Sequence, residues 1–585
     1  MHFRHANRGP LSAALFLAAL GAVQGCAAPE DGAGADPAQG SAAPGGVATL
    51  VLRGGRIVTL DEERPEVTAL AARGGRILAI GSEAEIAAHV GPETRVLDLE
   101  GRLAIPGFIE GHGHFLSIGD AKLQLDLMGA ASWEAIVAQV AGAVAAAQPG
   151  ELIRGRGWHQ EKWNPAPEPT VEGLPTHHAL SAVSPENPVL LRHASGHATF
   201  ANARAMELAG IDRSTPDPPG GEIVRDAEGE PIGVFRETAS GLLAGVSGAA
   251  TPTDPRRLAE LADREVLSKG ITSFQDAGSS FEDVELFRAL AEEGRLGVRL
   301  WVMLRESNER LAQRLPGFEL VGAAGDRLTC RAIKRSLDGA LGSHGAWLLE
   351  PYTDLPTSTG LNTISVESLH ETARLALEHD LQLCVHAIGD RANRETLDVF
   401  EDAYRRGGGS ADLRWRVEHA QHLHPDEVPR FAELGVIASM QGVHCTSDGP
   451  WVPDRLGDAR AEEGAYVWRK LIDAGVLISN GTDAPVEDVD PIASFYSSVS
   501  RRMAHGKQFY PEQRMTRLEA LRSYTWNCAY AAFEEDLKGS LTPGKLADVT
   551  VLSRDILSVP EDEIPGARVD YTIVGGEVLY ARDGG

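Results

Sequence analysis

The side chains best suited to chemistry begin with His112 and His114, in Gly107-Phe108-Ile109-Glu110-Gly111-His112-Gly113-His114. They end an apolar run, Leu103 to Ile109, interrupted by Pro106 and Gly107. On an extended segment residues i and i+2 share a face. Both imidazoles can therefore aim at one point, and neutral imidazole is the commonest protein ligand of a catalytic transition metal. Gly111 and Gly113 leave space beside them. A His-x-His pair by itself is more often two loop histidines. It gains chemical meaning only where further ligand-type side chains follow, each at the end of a strand-like run.

Such side chains do follow. His386 comes directly after Leu381 to Val385, and Glu418-His419-Ala420-Gln421 after Trp415-Arg416-Val417. Asn480-Gly481-Thr482-Asp483-Ala484-Pro485 comes after Val476 to Ser479. Lys334 lies inside the run at 331–337, just before Asp338-Gly339. Singly, each has a plainer reading. Lys334 could pair with Asp338, His386 and His419 could be satisfied core histidines, and Asp483 could cap a helix. Together they form an ordered series of His-x-His, Lys, His, His and Asp, which the plainer readings do not explain.

The elements that must position them alternate. From about 103 to 535, strand-like runs (Val189–Arg192, Ile271–Phe274, Arg299–Met303, Ala332–Lys334, Leu381–Val385, Trp415–Val417, Val436–Ala438, Val476–Ser479) are separated by helical stretches such as 255–269, 366–378 and 391–406. Alternation of this kind implies parallel strands with helical crossovers. The count suits a (β/α)₈ TIM-like barrel over 104–539, which places chemistry at the C-terminal ends of the strands. A doubly wound sheet is the alternative, but no Gly-rich phosphate fingerprint supports it. The stretch at about 130–250 reads as an insertion covering the substrate. Short strands with Gly turns in 48–103 return in 540–583, and neither piece is comfortable alone. One small β-sandwich domain made from both chain ends is the economical solution.

Composition narrows the function. The chain has 585 residues, 43% hydrophobic, with a net charge of −28. That charge argues against nucleic acid, whose phosphates need clustered Lys and Arg. The five cysteines show no Cys-x-x-Cys spacing, so neither a thiolate zinc site nor a disulfide framework is indicated. Residues 1–26 read as an export signal, with Arg4 and Arg8 before the apolar stretch Leu11 to Ala22. It ends in Val23-Gln24-Gly25-Cys26, which resembles a lipobox with Cys26 as the lipidated residue; an ordinary cleavable signal near Ala27-Ala28 is the alternative. Residues 27–47 read as a flexible tether. The expectation is an exported protein that a lipid anchor alone holds to the bacterial membrane, facing the periplasm from the outer membrane if the source is Gram-negative. A homodimer is expected by base rate.

The order of the candidate ligands and the words around them resemble the amidohydrolase superfamily, in the family 3 branch that includes N-substituted formamide deformylase. The resemblance runs from about 48 to 582. It is carried by Pro106-Gly107-Phe108-Ile109, Ser195-Gly196-His197-Ala198, His386-Ala387-Ile388-Gly389-Asp390, Glu418-His419-Ala420-Gln421, Gly481-Thr482-Asp483-Ala484-Pro485 and Gly539-Ser540-Leu541-Thr542-Pro543-Gly544-Lys545-Leu546-Ala547-Asp548. It implies that His112 and His114 bind the more buried metal, that Lys334 is carboxylated and bridges two metals, and that His386 and His419 hold the second. Asp483 would bind the first metal and act as general base and then acid. His197 is the candidate substrate contact, with His193 a weaker one.

The sequence departs from this pattern at His344, where many relatives have an Arg suited to a substrate carboxylate. One or two divalent ions are implied, with zinc the default and Mn, Fe, Co or Ni permitted by nitrogen and oxygen ligands. The activity implied is hydrolysis of a non-peptide C–N bond in a small molecule, an amide, N-formyl or N-acyl amine. The alternatives are an esterase, lactonase or cyclic-amide hydrolase on the same site, and a ligand-binding surface lipoprotein without turnover. Trp158, Trp163, Trp451 and Trp468 are candidates for an aromatic pocket or for plain core packing.

Overall fold

The computed structural model describes residues 46–248, 253–407 and 412–582. The export signal, Cys26 and nearly all of the tether lie outside the described residues.

The centre is a parallel barrel. Its strands are β1 (Phe108–Gly113), β2 (Ile271–Ser279), β3 (Arg299–Leu304), β4 (Leu328–Ser336), β5 (Gln382–Ala387), β6 (Arg416–His419), β7 (Ile437–Gln441) and β8 (Ile478–Gly481). Each pairs with the next in parallel register, from β1 through to β8. The ring is drawn together where β1 meets the end of β8. There the Asp483 N–H donates to the His112 carbonyl at 2.8 Å and the His114 N–H to the Ala484 carbonyl at 2.7 Å. Such strands are covered on both faces, which explains their near-continuous apolar runs. All six residues of β3 are buried. The expected helices are present at Pro255–Ser268, Val366–Glu378 and Asp390–Arg406. Asp254 caps the first, with Pro255 in its first turn, and Ser365 caps the second.

The run at Val189 is not a barrel strand. It forms the strand Val189–His193 of a separate six-stranded sheet between β1 and β2. Its chain neighbour Ala198–Ala201 follows after a four-residue turn and pairs antiparallel, Leu190 opposite Ala201. So short a turn allows only an antiparallel return, whereas a barrel strand needs a crossover of a dozen residues or more. This inserted layer has its own core of Trp133, Ile136, Trp158, Leu191 and Phe200.

The two chain ends meet in one eight-stranded sheet rather than in two hydrogen-bonded sheets. Leu103–Pro106 pairs antiparallel with Val549–Leu552, Ala104 opposite Val551. Ile77 bonds to residues 544 and 545, which brings the far edge round to the C-terminal strands. Leu50, Leu52 and Leu70 then share a core with Val549, Val551 and Ile573. Only Gly107 separates Leu103–Pro106 from β1, so this sheet leads straight into the barrel. Arg299 at the start of β3 donates to both oxygens of Asp548, at 2.8 and 3.1 Å, a buried ion pair between the two layers.

Candidate metal centre and substrate cavity

β1 delivers His112, fully buried, and His114, which keeps some access to the cavity; their ring centroids are 5.8 Å apart. Asp483, just past β8, faces both. Its Oδ1 lies 3.6 Å from His112 Nε2 and 3.3 Å from His114 Nε2. The three side chains can present ligand atoms all within 4.8 Å of one another. Asp483 caps no helix, since the helix that follows, Pro491–Ser500, is capped by Asp490. The approach of β8 to β1 depends on glycine. A Cβ on Gly481 would stand 2.6 Å from the His112 nitrogen.

The outer side of His112 is anchored. Its Nδ1 pairs with Glu418 Oε2. Glu418 is in turn held by Arg416, whose Nε donates to Oε1 at 2.7 Å and Nη2 to Oε2 at 3.0 Å. Arg416 also donates to Gln275 Oε1, the Gly111 carbonyl and Ser439 Oγ, at 2.6, 2.8 and 2.8 Å. Burial alone would raise the Glu418 carboxyl, but Arg416 and His112 overcome it and hold the group well below the usual carboxylate range. Burial pushes His112 down to about 4, so the ring is neutral and its Nε2 carries a free lone pair. Asp483 is likewise held ionised, against its burial, by His114 and His112. Glu110 caps the β8 end from beneath: its Oε1 accepts from Thr482 N at 2.5 Å, and burial raises it to about 8.

β4, β5 and β6 bring Lys334, His386 and His419 to the same mouth. The rings of His386 and His419 meet edge-on at 4.4 Å, and His419 stands 4.7 Å from His112. His419 Nδ1 is bonded to Gln441 Oε1 at 2.8 Å. Burial keeps both rings neutral. Lys334 Nζ is buried and, among the described residues, makes a single 3.5 Å contact, to the Ala277 carbonyl; burial lowers it to about 8. Lys334 does not pair with Asp338. That carboxylate accepts from the N–H groups of Trp347, Ile388 and Gly389 at 2.8 to 3.1 Å, and burial raises it to about 7. His386 Nε2 lies 3.4 Å from Asp338 Oδ1.

Backbone strain gathers here. His419 and Asp483 adopt φ of 78° and 56°, and Glu237, across the cavity, 49°. Non-glycine residues rarely adopt such angles, and outliers of this kind cluster at functional sites.

His197 enters from the inserted layer, its ring centroid 5.0 Å from that of His386. Glu237 Oε2 bonds its Nδ1 at 2.7 Å, which fixes the ring. His193 is satisfied structurally, by Ser195 Oγ at 2.8 Å and Gln160 Oε1 at 3.2 Å, with its ring against Trp158 and His159. His344 is bonded to Asp354 at 3.2 Å and meets Tyr352 edge to face.

Two spaces meet at His197, His386, His419 and Asp483. One, of about 410 Å³, runs past Lys334 and is lined by arginines. The other is a narrow space of about 50 Å³, lined by Leu341, Ile388 and Trp451. Of the four candidate tryptophans, Trp451 lines the second space. Trp158 and Trp163 pack in the inserted layer, and Trp468 is buried beneath Arg501.

Sequence reasoning missed Glu237, Gln441 and the arginines. It quoted Glu418 but gave it no role, because its partner His112 lies 306 residues away.

Residues 95–580 match the amidohydrolase family. The chain is a member of that family. As an amidohydrolase family protein it is a hydrolase. It is 32% identical to Protein LONG AFTER FAR-RED 3 of Arabidopsis thaliana, over 91% of this chain and 92% of that one. It is 29% identical to N-substituted formamide deformylase of Arthrobacter pascens, over 92% of this chain and 99% of the other. Among solved structures, an uncharacterized metal-dependent hydrolase from Pyrococcus horikoshii superposes with a TM-score of 0.69 at 26% identity, covering 88% of this chain and 99% of that one.

Proposed function

We propose that this amidohydrolase family protein uses a divalent metal centre to hydrolyse a non-peptide C–N bond: an amide, N-formyl amine or N-acyl amine. The observation that carries the reading is the pattern of satisfied and unsatisfied atoms. His112 Nε2 and Asp483 Oδ1 face the common point, buried and without a hydrogen-bond partner among the described residues. The nitrogens that face outward, His112 Nδ1 and His419 Nδ1, are tied to Glu418 and Gln441. Buried polar atoms are nearly always paired, and metal-binding histidines are oriented through their second ring nitrogen. The donor set therefore fits a cation. His112, His114 and Asp483 would hold one ion, and His386 and His419 a second, with Lys334 bridging as its carbamate. The neutral lysine amine is the form that adds CO₂, and burial favours that form.

A bound divalent ion lowers the pKa of water and polarises a carbonyl. The chain's own groups supply the rest. Asp483 Oδ2 is free to take a proton from the attacking water and pass it to the leaving nitrogen. His197, held through Nδ1 by Glu237, lines the cavity beside His386, where it can contact the reacting carbonyl of the substrate. The narrow space on the other side is lined by Trp451, Leu341 and Ile388 together with Lys162, Asp448 and Glu487, and bounds the rest of the substrate. The name of the Arthrobacter relative, a deformylase of N-substituted formamides, agrees with this bond class.

The test is product release from a panel of N-formyl amines, N-acyl amines, cyclic amides and esters. The whole chain would be supplied with zinc and bicarbonate, with Lys334→Ala and Asp483→Ala alongside. Turnover of an amide that both substitutions abolish is the expected result. Turnover of esters alone would contradict the C–N assignment.

A further inference from the structure

We propose that the substrate carries an anionic oxygen group, a carboxylate or phosphate, received by Arg156, Arg192 and Arg305 on the side of the cavity away from Trp451. The proposal rests on the hydrolase reading of the same site and adds the substrate's charge. All three arginines line the space that contains Lys334 and Asp483. Among the described residues none of the three has a carboxylate partner. The neighbouring arginines of the inserted layer do: Arg154 with Asp120, Arg204 with Glu207, and Arg236 with Glu172 and Glu222. The chain has 83 Asp and Glu against 55 Lys and Arg, so acidic partners are not scarce. Grouping like charges in a concave space without a counterion is unfavourable, and a cleft of one sign focuses its field on a ligand of the other.

The cavity's own carboxylates form no ion pair with these arginines among the described residues. Glu237 holds His197, Asp338 caps three backbone N–H groups, and Asp483 faces the two β1 histidines. The guanidinium groups are oriented yet keep free donors. Arg156 donates to the carbonyls of Pro485 and Ala194, both at 3.0 Å. Arg192 donates to Gly196 O at 3.2 and 3.3 Å, leaving Nη1 free. Arg305 makes one long bond, 3.3 Å to Ser336 Oγ. Arg192 and Arg305 are both reached by water although protein surrounds them on most sides, as expected for groups lining a deep open cavity. Planar guanidinium forks match carboxylate and phosphate geometry. Asp483 also lines the narrow space beside Trp451, so the scissile bond would lie between the anionic portion and the part of the substrate received there.

Arg305 shares this space with Lys334 and would also face a carbamate there, so Arg192 is the deciding residue. Matched pairs test the proposal with the anion on either side of the bond: N-benzoylglycine against N-benzoylglycinamide, and N-phenylsuccinamate against its neutral primary amide. N-benzoylaminomethylphosphonate separates phosphate-type from carboxylate-type recognition. The metal-loaded whole chain should prefer the anionic member of at least one pair by about tenfold or more in kcat/KM. Arg192→Gln and Arg305→Gln should each remove about tenfold of that preference, through KM. Arg204→Gln, on the exposed surface, should keep it. Calorimetric binding of the same compounds gives a readout independent of turnover. If nothing is hydrolysed but the anion still binds and Arg192→Gln abolishes binding, the C–N assignment fails and the anion site stands. Equal handling of acids and amides by the native chain overturns the proposal. So does a preference that survives Arg192→Gln, including the case in which only Arg305→Gln has an effect.

Discussion

At the scale of single residues, the centre separates groups that face the reaction from groups that hold them. Asp483 is the former, and Asp483→Asn should lower kcat by about 10²- to 10⁴-fold, the usual contribution of a positioned acid or base. Glu418 is the latter. Glu418→Gln should leave the fold intact and weaken metal binding by about 10- to 100-fold, read by titration with a competing chelator. Two buried histidines outside the ligand set make a pH prediction. Burial, aided by neighbouring cations, holds His159 and His422 at about 3 in the folded chain. Their unfolded value is near 6.5. Above that pH both states are neutral and nothing changes. Below it the unfolded chain binds the proton first, so stability is lost as pH falls from about 6.5 toward about 3. Each histidine contributes roughly 1.4 kcal/mol per pH unit to that loss. Denaturant midpoints measured from pH 7.5 to 5 should fall less steeply in His422→Gln than in the native chain. An unchanged slope would refute the assignment.

At the scale of elements, strand ends set the register of the chemistry. The ligand-bearing ends were legible because parallel barrel strands are continuous apolar runs, and polar residues stand out where those runs stop. His112, His386 and His419 could be picked out in that way. The Val189 run obeys the same local pattern, and only the short return to Ala198–Ala201 reveals an antiparallel pair in the inserted sheet. Glu237, Arg156, Arg192 and Arg305 carry no spacing signature, since they reach the cavity from two layers and are brought together only by tertiary packing. The pair Arg299–Asp548 is another such contact, joining β3 to the sheet made by the chain ends. Arg299→Leu would leave Asp548 buried without a counterion. A loss of about 3–5 kcal/mol in denaturant unfolding is expected.

At the scale of the whole molecule, a barrel holds the ligands, an inserted layer supplies His197 with Arg156 and Arg192, and a composite sheet ties both chain ends to the barrel's entry strand. This arrangement divides labour between layers. Changes in the inserted layer should alter which substrate is taken while leaving metal content unchanged, and changes at strand ends should do the reverse. The most direct measurement of the central claim is metal content per chain, determined by elemental analysis during stepwise reloading of chelator-stripped protein, with amide hydrolysis assayed on the same samples. Hydrolysis should rise in step with bound metal and stop rising when the site is full, and His114→Ala should lose metal and hydrolysis together. Hydrolysis that is indifferent to bound metal, or that survives its complete removal, would contradict the account.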